Sequence, residues 1–144
     1  MSIRVAIVED DLGVQKALKA IVQRAPSLSF SGAYGSAEEA FGKIVQERPD
    51  VALVDINLPG KSGIKLVSEL KTRLPKLQVM MITVYEDGDQ IFASLQAGAS
   101  GYMLKRSQPE EIVQGIEQLH TGGSPMSPDV ARKVVSFFQQ RKTS

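Results

Sequence analysis

Cysteine is absent from the 144-residue chain, and histidine occurs once, at His120. The first absence excludes a disulfide framework, a thiolate metal site and a cysteine nucleophile, and the second excludes a metal site built from several histidines. An excess of one charge is also lacking, because 17 lysines and arginines stand against 16 aspartates and glutamates, a net charge of +1. No strong overall field is therefore available to attract nucleic acid or an anionic membrane.

Long apolar runs are missing as well. No run reaches the roughly 18 residues that a membrane span requires. A strand-like pattern begins at Ile3, where the start of a signal peptide would lie. We therefore expect a cytoplasmic protein that makes no membrane contact. The length suits one domain, and a hydrophobic fraction of 42% with a charged fraction of 23% is ordinary for a globular one.

Short apolar strands alternate with amphipathic helices along the chain. The predicted strands cover residues 3–8, 28–33, 51–54, 77–83 and 101–105. Residues 51–54 are wholly apolar, which is typical of a strand that is buried on both faces of a parallel sheet. Five strand–helix units with short connections predict an α/β fold, a doubly wound parallel sheet with helices on both faces.

Polar and charged side chains stand where four of these strands end. Glu9 and Asp10 follow the first strand and Asp55 follows the third, while Thr83 and Lys105 close the fourth and fifth. Ligands of a doubly wound sheet bind beyond the carboxyl ends of its strands, so we expect these groups to share one crevice. Two carboxylates about 4 Å apart repel by about 4 kcal/mol at an effective dielectric near 20, and the cluster therefore needs a counter-charge or must take up protons.

The carboxylates of this crevice suit a hard divalent cation. Mg2+ fits best, because it accepts one or two carboxylates and completes its shell with water and a phosphate. A carboxylate beside Mg2+ can also accept a phosphoryl group as an aspartyl phosphate. Lys105 would then hold one phosphate oxygen as a point charge, and Thr83 would donate a hydrogen bond to another. Asp11 has two open interpretations, a helix N-cap or a further metal ligand.

Residues 3–122 resemble the receiver domain of bacterial two-component response regulators. Asp55, which opens the segment D-I-N-L-P-G, is similar to the phosphoacceptor of the family's D-x-x-x-P-G signature, and Tyr102 falls at its aromatic switch position. The segment L-Q-A-G-A-S-G-Y-M-L-K that ends at Lys105 is similar to the NarL/FixJ (LuxR-type) subfamily. The family's acidic pair, strand-four hydroxyl and strand-five lysine are matched by Glu9 and Asp10, by Thr83 and by Lys105.

The resemblance implies a flavodoxin-like sheet with strand order 2-1-3-4-5, five helices and one extra C-terminal helix. It implies that a sensor histidine kinase transfers a phosphoryl group to Asp55. Mg2+ would be held by Asp10, Asp55 and the backbone carbonyl of Asn57, with Glu9 acting on the metal through water. The chain would then be a regulatory phosphoacceptor and not an enzyme.

The resemblance also implies a switch and an output. Thr83 would move toward the phosphoryl group and leave room that Tyr102 fills. Residues 1–122 would form the receiver, and residues 123–144 a linker and an amphipathic helix that lead to a DNA-binding domain absent from this chain. DNA would be contacted only through that domain, and phosphorylation could promote a homodimer. The predicted apolar face of the helix consists of Val130, Val134, Phe137 and Phe138.

Three alternatives stay open at this point. A stand-alone receiver would act through protein contacts alone. A haloacid dehalogenase-type phosphatase also uses a strand-end aspartate with Mg2+, but it places an acid two residues later, where this chain has Asn57, which cannot shuttle a proton. A flavodoxin-like FMN binder would share the fold, but the carboxylates would repel the FMN phosphate.

Overall fold

A computed structural model describes residues 2–142 of the chain, with side chains described as far as Gln140. Strands and helices alternate through these residues. The strands are β1 (Ile3–Val8), β2 (Leu28–Tyr34), β3 (Val51–Val54), β4 (Gln78–Thr83) and β5 (Gly101–Leu104). The helices are α1 (Leu12–Arg24), α2 (Ala37–Glu47), α3 (Gly63–Arg73), α4 (Gly88–Ala97), α5 (Pro109–His120) and α6 (Pro128–Lys142). Met1, Thr143 and Ser144, at the ends of the two expected segments, lie outside the described residues.

All five strands run parallel in one sheet of order β2-β1-β3-β4-β5, so the expected flavodoxin-like order is confirmed. Strands β1 and β3 end level, because their last residues, Val8 and Val54, pair with each other. Strand β4 runs on to Thr83, two residues past its pairing with Val54. The residues that follow Val8 and Val54 are Glu9 and Asp55. The register therefore places these two carboxylates side by side at one edge of the sheet.

Two hydrophobic clusters cover the two faces of the sheet. Neighbouring strand residues alternate between them, so that Val54 belongs to one cluster and Leu53 to the other. Helices α2, α3 and α4 pack over the first face, and helices α1 and α5 over the second. Because both faces are covered, the strand ends are the part of the sheet that remains accessible to a ligand.

Side-chain caps fix where several helices begin. Asp11 accepts a hydrogen bond of 3.1 Å from the backbone N–H of Val14 and so begins α1. The N-cap interpretation of Asp11 is thus the one that the geometry supports. Ser36 accepts from the N–H of Glu39 at the start of α2, as its capping-box pattern indicates.

The observed boundaries differ slightly from the sequence pattern at the edge that carries the site. Strand β5 ends at Leu104, one residue before Lys105, although the Lys105 N–H still donates to the carbonyl of Thr83 at 2.9 Å. Helix α4 begins at Gly88, because Asp87 caps it by accepting from the N–H of Gln90. Shifts of one residue at the ends of strands leave the predicted strand-end positions unchanged.

The C-terminal segment packs against the rest of the chain. Residues 125–127 run beside β5, and α6 then lies on α4. Val130 is fully buried, and Val134 and Phe137 are half-buried. The prediction that Phe138 shares this buried face is wrong, since its side chain is 63% exposed. Phe138 is eight residues after Val130, and on an α-helix its side chain therefore points roughly 80° away from that of Val130. This direction lies outside the narrow contact between α6 and α4.

None of the helices in residues 2–142 has the length and the apolar character that a membrane span requires.

Candidate functional site

Strands β1 and β3 place two buried acids at the carboxyl edge of the sheet. Glu9 is 1% exposed, and its N–H donates to the carbonyl of Tyr34 at 2.9 Å. Asp55 is 4% exposed, and its N–H donates to the carbonyl of Val8 at 3.0 Å. The sheet's own hydrogen bonds therefore hold both backbones, and the two carboxyl groups are positioned before any ligand arrives.

Lys105 joins these two acids. Its Nζ lies 2.8 Å from Oε1 of Glu9 and 2.9 Å from Oδ2 of Asp55. Burial lowers the pKa of Lys105, but the hydrogen bonds and charges of both acids outweigh this effect and raise the pKa above its usual value. The side chain therefore remains an ammonium, which is the form that can hold an anionic oxygen.

The Glu9 carboxyl is under opposing influences. Burial is the largest and raises its pKa above the usual range, and the neighbouring charge of Asp55 acts in the same direction. Hydrogen bonds from Lys105 and from the backbone N–H of Asp11, which donates to Glu9 Oε2 at 3.0 Å, act against it. Glu9 is thus held as part of the framework around the pocket.

Asp10 completes a cluster of three carboxylates. One oxygen each from Glu9, Asp10 and Asp55 lie within 4.8 Å of one another. Asp10 is exposed, so the cluster opens to solvent on its side. Asp55 Oδ1 is buried and has no hydrogen-bond partner among the described residues. One ammonium against three carboxylates leaves a net negative pocket, whose oxygen-only donors match the preference of a hard divalent cation.

Thr83 brings an unused hydroxyl to the same edge. Its side chain is fully buried, and Oγ1 has no hydrogen-bond partner in the described part of the chain. Its carbonyl accepts from the N–H of Lys105, so the two strand ends are fixed to each other. A buried hydroxyl without a hydrogen-bond partner is costly and uncommon.

Tyr102 is also fully buried, and its hydroxyl donates to the carbonyl of Tyr85 at 2.8 Å. Burial, together with the charges of Asp87 and Asp55, raises the pKa of the phenol, so the group stays protonated. Asn57 lies exposed in the loop between β3 and α3, two residues after Asp55.

Gly63 is a site residue that the sequence reasoning missed. It begins α3, and a Cβ atom placed on it would lie 1.9 Å from the backbone oxygen of Asp55. No side chain fits there, and the closeness of the two backbones fixes the position of the acid. A glycine directly after the N-cap Ser62, where better helix formers are available, is the sequence signal that could have revealed it.

Gln15 and Ser127 were missed as well. The amide of Gln15 reaches back from α1 and donates to the carbonyl of Glu9 at 2.8 Å, which steadies the loop that carries Asp10. Ser127 is buried and accepts from the N–H of Leu104 at 3.0 Å, one residue before Lys105. No local pattern marks either contact, since each joins separate elements.

The fold and the pocket together define a doubly wound α/β protein with an acidic site at the carboxyl edge of its sheet. The family model for the response regulator receiver domain matches residues 5–117, and the chain belongs to this family. The expected family and its regulatory, non-enzymatic role are therefore confirmed. This membership favours the receiver over the phosphatase and flavin alternatives.

Known relatives place the chain beside transcription regulators. Transcriptional regulatory protein LnrK of Bacillus subtilis (strain 168) is 29% identical over 140 residues, which are 97% of this chain and 64% of LnrK. Transcriptional regulatory protein UhpA of Escherichia coli (strain K12) is 31% identical over 142 residues, 98% of this chain and 70% of UhpA. This chain thus spans less than two-thirds of the length of LnrK.

A crystal structure of a LuxR-family two-component response regulator from Aurantimonas sp. SI85-9A1 has a similar fold. It superposes with a TM-score of 0.89 at 28% identity, over 94% of this chain and 97% of that one. The overlap includes most of the described residues, so the resemblance extends beyond the part that the family model matches.

Proposed function

We propose that this chain is a phosphorylation-activated receiver in which Asp55 accepts a phosphoryl group from the phosphohistidine of a sensor kinase. The observation that carries the proposal is the state of Asp55 itself. The acid is buried, Lys105 binds its Oδ2 at 2.9 Å, and its Oδ1 has no hydrogen-bond partner in the described structure. One oxygen is therefore neutralised and oriented by Lys105, while the other lacks a protein partner and is left for a ligand.

The transfer needs few groups beyond these. An Asp55 oxygen bonds to phosphorus, the bond between phosphorus and the kinase imidazole breaks, and the imidazole leaves with the bonding pair and takes up a proton. The Lys105 ammonium supplies a counter-charge to the aspartyl phosphate that results. The free hydroxyl of Thr83 supplies a hydrogen bond to a phosphoryl oxygen.

The residues of the pocket fit Mg2+. The carboxylates of Asp10 and Asp55 and the carbonyl of Asn57 would hold it, with Glu9 acting through water. The unpartnered Asp55 Oδ1 and the closeness of the three carboxylates support this assignment. When bound, Mg2+ would neutralise charge on the phosphoryl oxygens during transfer.

The switch and the output extend the proposal beyond the pocket. Thr83 moves toward the phosphoryl group, and Tyr102 responds to the space that this movement leaves. Residues 1–122 act as the receiver, and residues 123–144 connect it to a DNA-binding domain. The similarity to LnrK and UhpA, both named transcriptional regulatory proteins, supports a transcriptional output. A homodimer that forms on phosphorylation and a cytoplasmic location belong to the same proposal.

The kinase would dock near the first turn of α1. Leu12 lies there beside the acidic pocket and is 67% exposed, so it offers an apolar contact next to the reacting group. A docking site at this point would bring a phosphohistidine close to Asp55.

Intact-mass measurement tests the acceptor directly. The full chain is incubated with Mg2+ and acetyl phosphate, and one phosphoryl group is expected on the wild type and on the matched control Asp89→Asn, an exposed acid on α4. Asp55→Asn should stay unlabelled, and EDTA should abolish labelling of the wild type. Equal labelling of Asp55→Asn and wild type would reject Asp55 as the acceptor.

A further inference from the structure

Helix α6 is docked on the face of α4 by an apolar contact. The rings of Phe92 in α4 and Phe137 in α6 have centroids 3.8 Å apart and are tilted by 34°. Val130 is fully buried in the same cluster as Ile91 and Tyr102, and Val134 packs against that cluster. The C-terminal helix thus shares the hydrophobic core of the receiver.

A group of charged contacts, here called the Glu86 clasp, closes one side of this interface. Arg106 binds both carboxylate oxygens of Glu86, at 2.9 and 3.3 Å, and its Nη2 lies 2.7 Å from Oδ2 of Asp129 at the start of α6. Lys133 of α6 donates to the backbone carbonyl of Glu86. Two residues of α6 are therefore tied, directly or through Arg106, to one residue of the β4–α4 loop (residues 84–87).

The β4–α4 loop joins this clasp to the acidic pocket. It begins immediately after Thr83, whose unpartnered hydroxyl stands at the pocket, and Glu86 lies three residues further on. Because only two residues separate Thr83 from Glu86 in the chain, a displacement of Thr83 also moves Glu86. The loop also carries the Tyr85 carbonyl, which accepts the Tyr102 hydroxyl.

Tyr102 makes the second connection between the pocket and the C-terminal segment. Its N–H donates to the carbonyl of Pro125 at 3.0 Å, and its own carbonyl accepts from the N–H of Ser127 at 3.2 Å. The residues that lead into α6 are thus hydrogen-bonded to the backbone of Tyr102. The side-chain hydroxyl of the same tyrosine is hydrogen-bonded to the β4–α4 loop. The loop and the start of α6 form one hydrogen-bonded unit.

We propose that α6 is an intramolecular latch on α4, closed while Asp55 is unmodified and released when Asp55 is phosphorylated. The inference rests on the proposed function for its trigger. The clasp has good ion-pair distances in the structure in which the Thr83 hydroxyl is still free. Drawing Thr83 toward a phosphoryl oxygen displaces the loop that carries Glu86, and this displacement disrupts the contacts of Glu86 with Arg106 and Lys133. The apolar contact alone binds α6 less tightly than the contact and the clasp together. Helix α6 then separates from α4, and the α4 face becomes accessible.

Hydrogen–deuterium exchange of the full 144-residue chain tests this latch. Amide exchange in α6 is measured before and after phosphorylation with acetyl phosphate and Mg2+, and intact mass reports the phosphorylated fraction in the same samples. Arg106→Gln removes the ion pairs of the clasp without phosphate, and Arg132→Gln, an exposed charge on α6 outside the clasp, is its matched control. Because exposed ion pairs shift such an equilibrium by about two- to fivefold, Arg106→Gln should raise α6 exchange by that factor.

The outcomes separate the two proposals. Phosphorylated wild type should show α6 exchange raised at least twofold, whereas Asp55→Asn treated in the same way should show no change. A chain that carries the phosphoryl group but keeps the original α6 exchange would overturn the latch and leave the proposed function standing. A wild type that takes up no phosphoryl group would overturn the proposed function, and the latch as a phosphorylation switch with it. Equal exchange in Arg106→Gln and Arg132→Gln would show that the clasp does not hold α6.

Discussion

Removing one carboxylate from the pocket should stabilise the folded chain when no divalent cation is present. Asp10 is the best position for this change, because it is exposed and its replacement by asparagine leaves no buried group without a partner. Its carboxylate lies within 4.8 Å of oxygens of Glu9 and Asp55. Lys105 already pairs with both of those acids, so the charge of Asp10 is the least compensated of the three.

The size of the effect follows from the separation. Two unit charges at the 4.8 Å limit of the cluster repel by about 0.9 kcal/mol in bulk water and by about 3.5 kcal/mol at an effective dielectric of 20. Exposure of Asp10 favours the smaller value, and attraction to Lys105 offsets one of the two repulsive pairs. We expect Asp10→Asn to raise the free energy of unfolding by about 1 kcal/mol, a rise in Tm of about 3 °C for a domain of this size.

In the presence of Mg2+, the wild type should become more stable to unfolding than Asp10→Asn. A cation that binds the folded state adds stability in proportion to the logarithm of its concentration over Kd, and Asp10→Asn removes one of its ligands. Urea unfolding in EDTA and at increasing Mg2+ measures both effects, with Asp89→Asn expected to stay within about 0.5 kcal/mol of wild type in every condition. A variant that is less stable than wild type in EDTA, or that gains as much from Mg2+, would refute the reasoning.

Three further predictions concern other parts of the site. Gly63→Ala should lower stability by about 1–3 kcal/mol and slow labelling of Asp55 severalfold, measured by urea unfolding and intact mass, whereas Gly42→Ala, at an open position in α2, should be neutral or stabilising. Thr83→Val removes a buried, unpartnered hydroxyl, so it should raise the unfolding free energy by about 1 kcal/mol in a urea titration while the phosphoryl group no longer alters α6 exchange. Val130→Ala should cost about 2 kcal/mol and raise exchange throughout α6, and unchanged exchange would contradict the observed packing.

The sequence was sufficient for the fold and for the strand-end residues because both depend on local patterns. An apolar run such as residues 51–54 indicates a buried parallel strand, and the residue after such a strand lies at the carboxyl edge of the sheet. That rule was enough to place Glu9 and Asp55 together. The strand register explains why the two acids are adjacent, since Val54 pairs with Val8 and each of these residues directly precedes one of the acids.

Contacts between distant elements could not be predicted in this way. The pairing of Arg106 with Glu86 and Asp129 depends on how α6 is laid across α4, which no periodicity describes. Phe138 is a second example. Its spacing from Val130 suits an amphipathic face, but the width of the contact between α6 and α4 decides which residues of α6 are buried. The roles proposed for Asp55 and its neighbours stay predictions until labelling is measured.

The distribution of unsatisfied polar atoms gives the strongest physical reason to regard the strand ends as a binding site. Among the described side chains, two buried polar atoms have neither a hydrogen bond nor an ion pair, Asp55 Oδ1 and Thr83 Oγ1. The third acceptor of the pocket, Glu9 Oε1, is satisfied by Lys105 Nζ at 2.8 Å. Each unsatisfied atom costs stability that a folded chain normally avoids. Asp55 follows β3 and Thr83 closes the neighbouring strand β4, so a single ligand that carries both a cation and anionic oxygens could satisfy both atoms together.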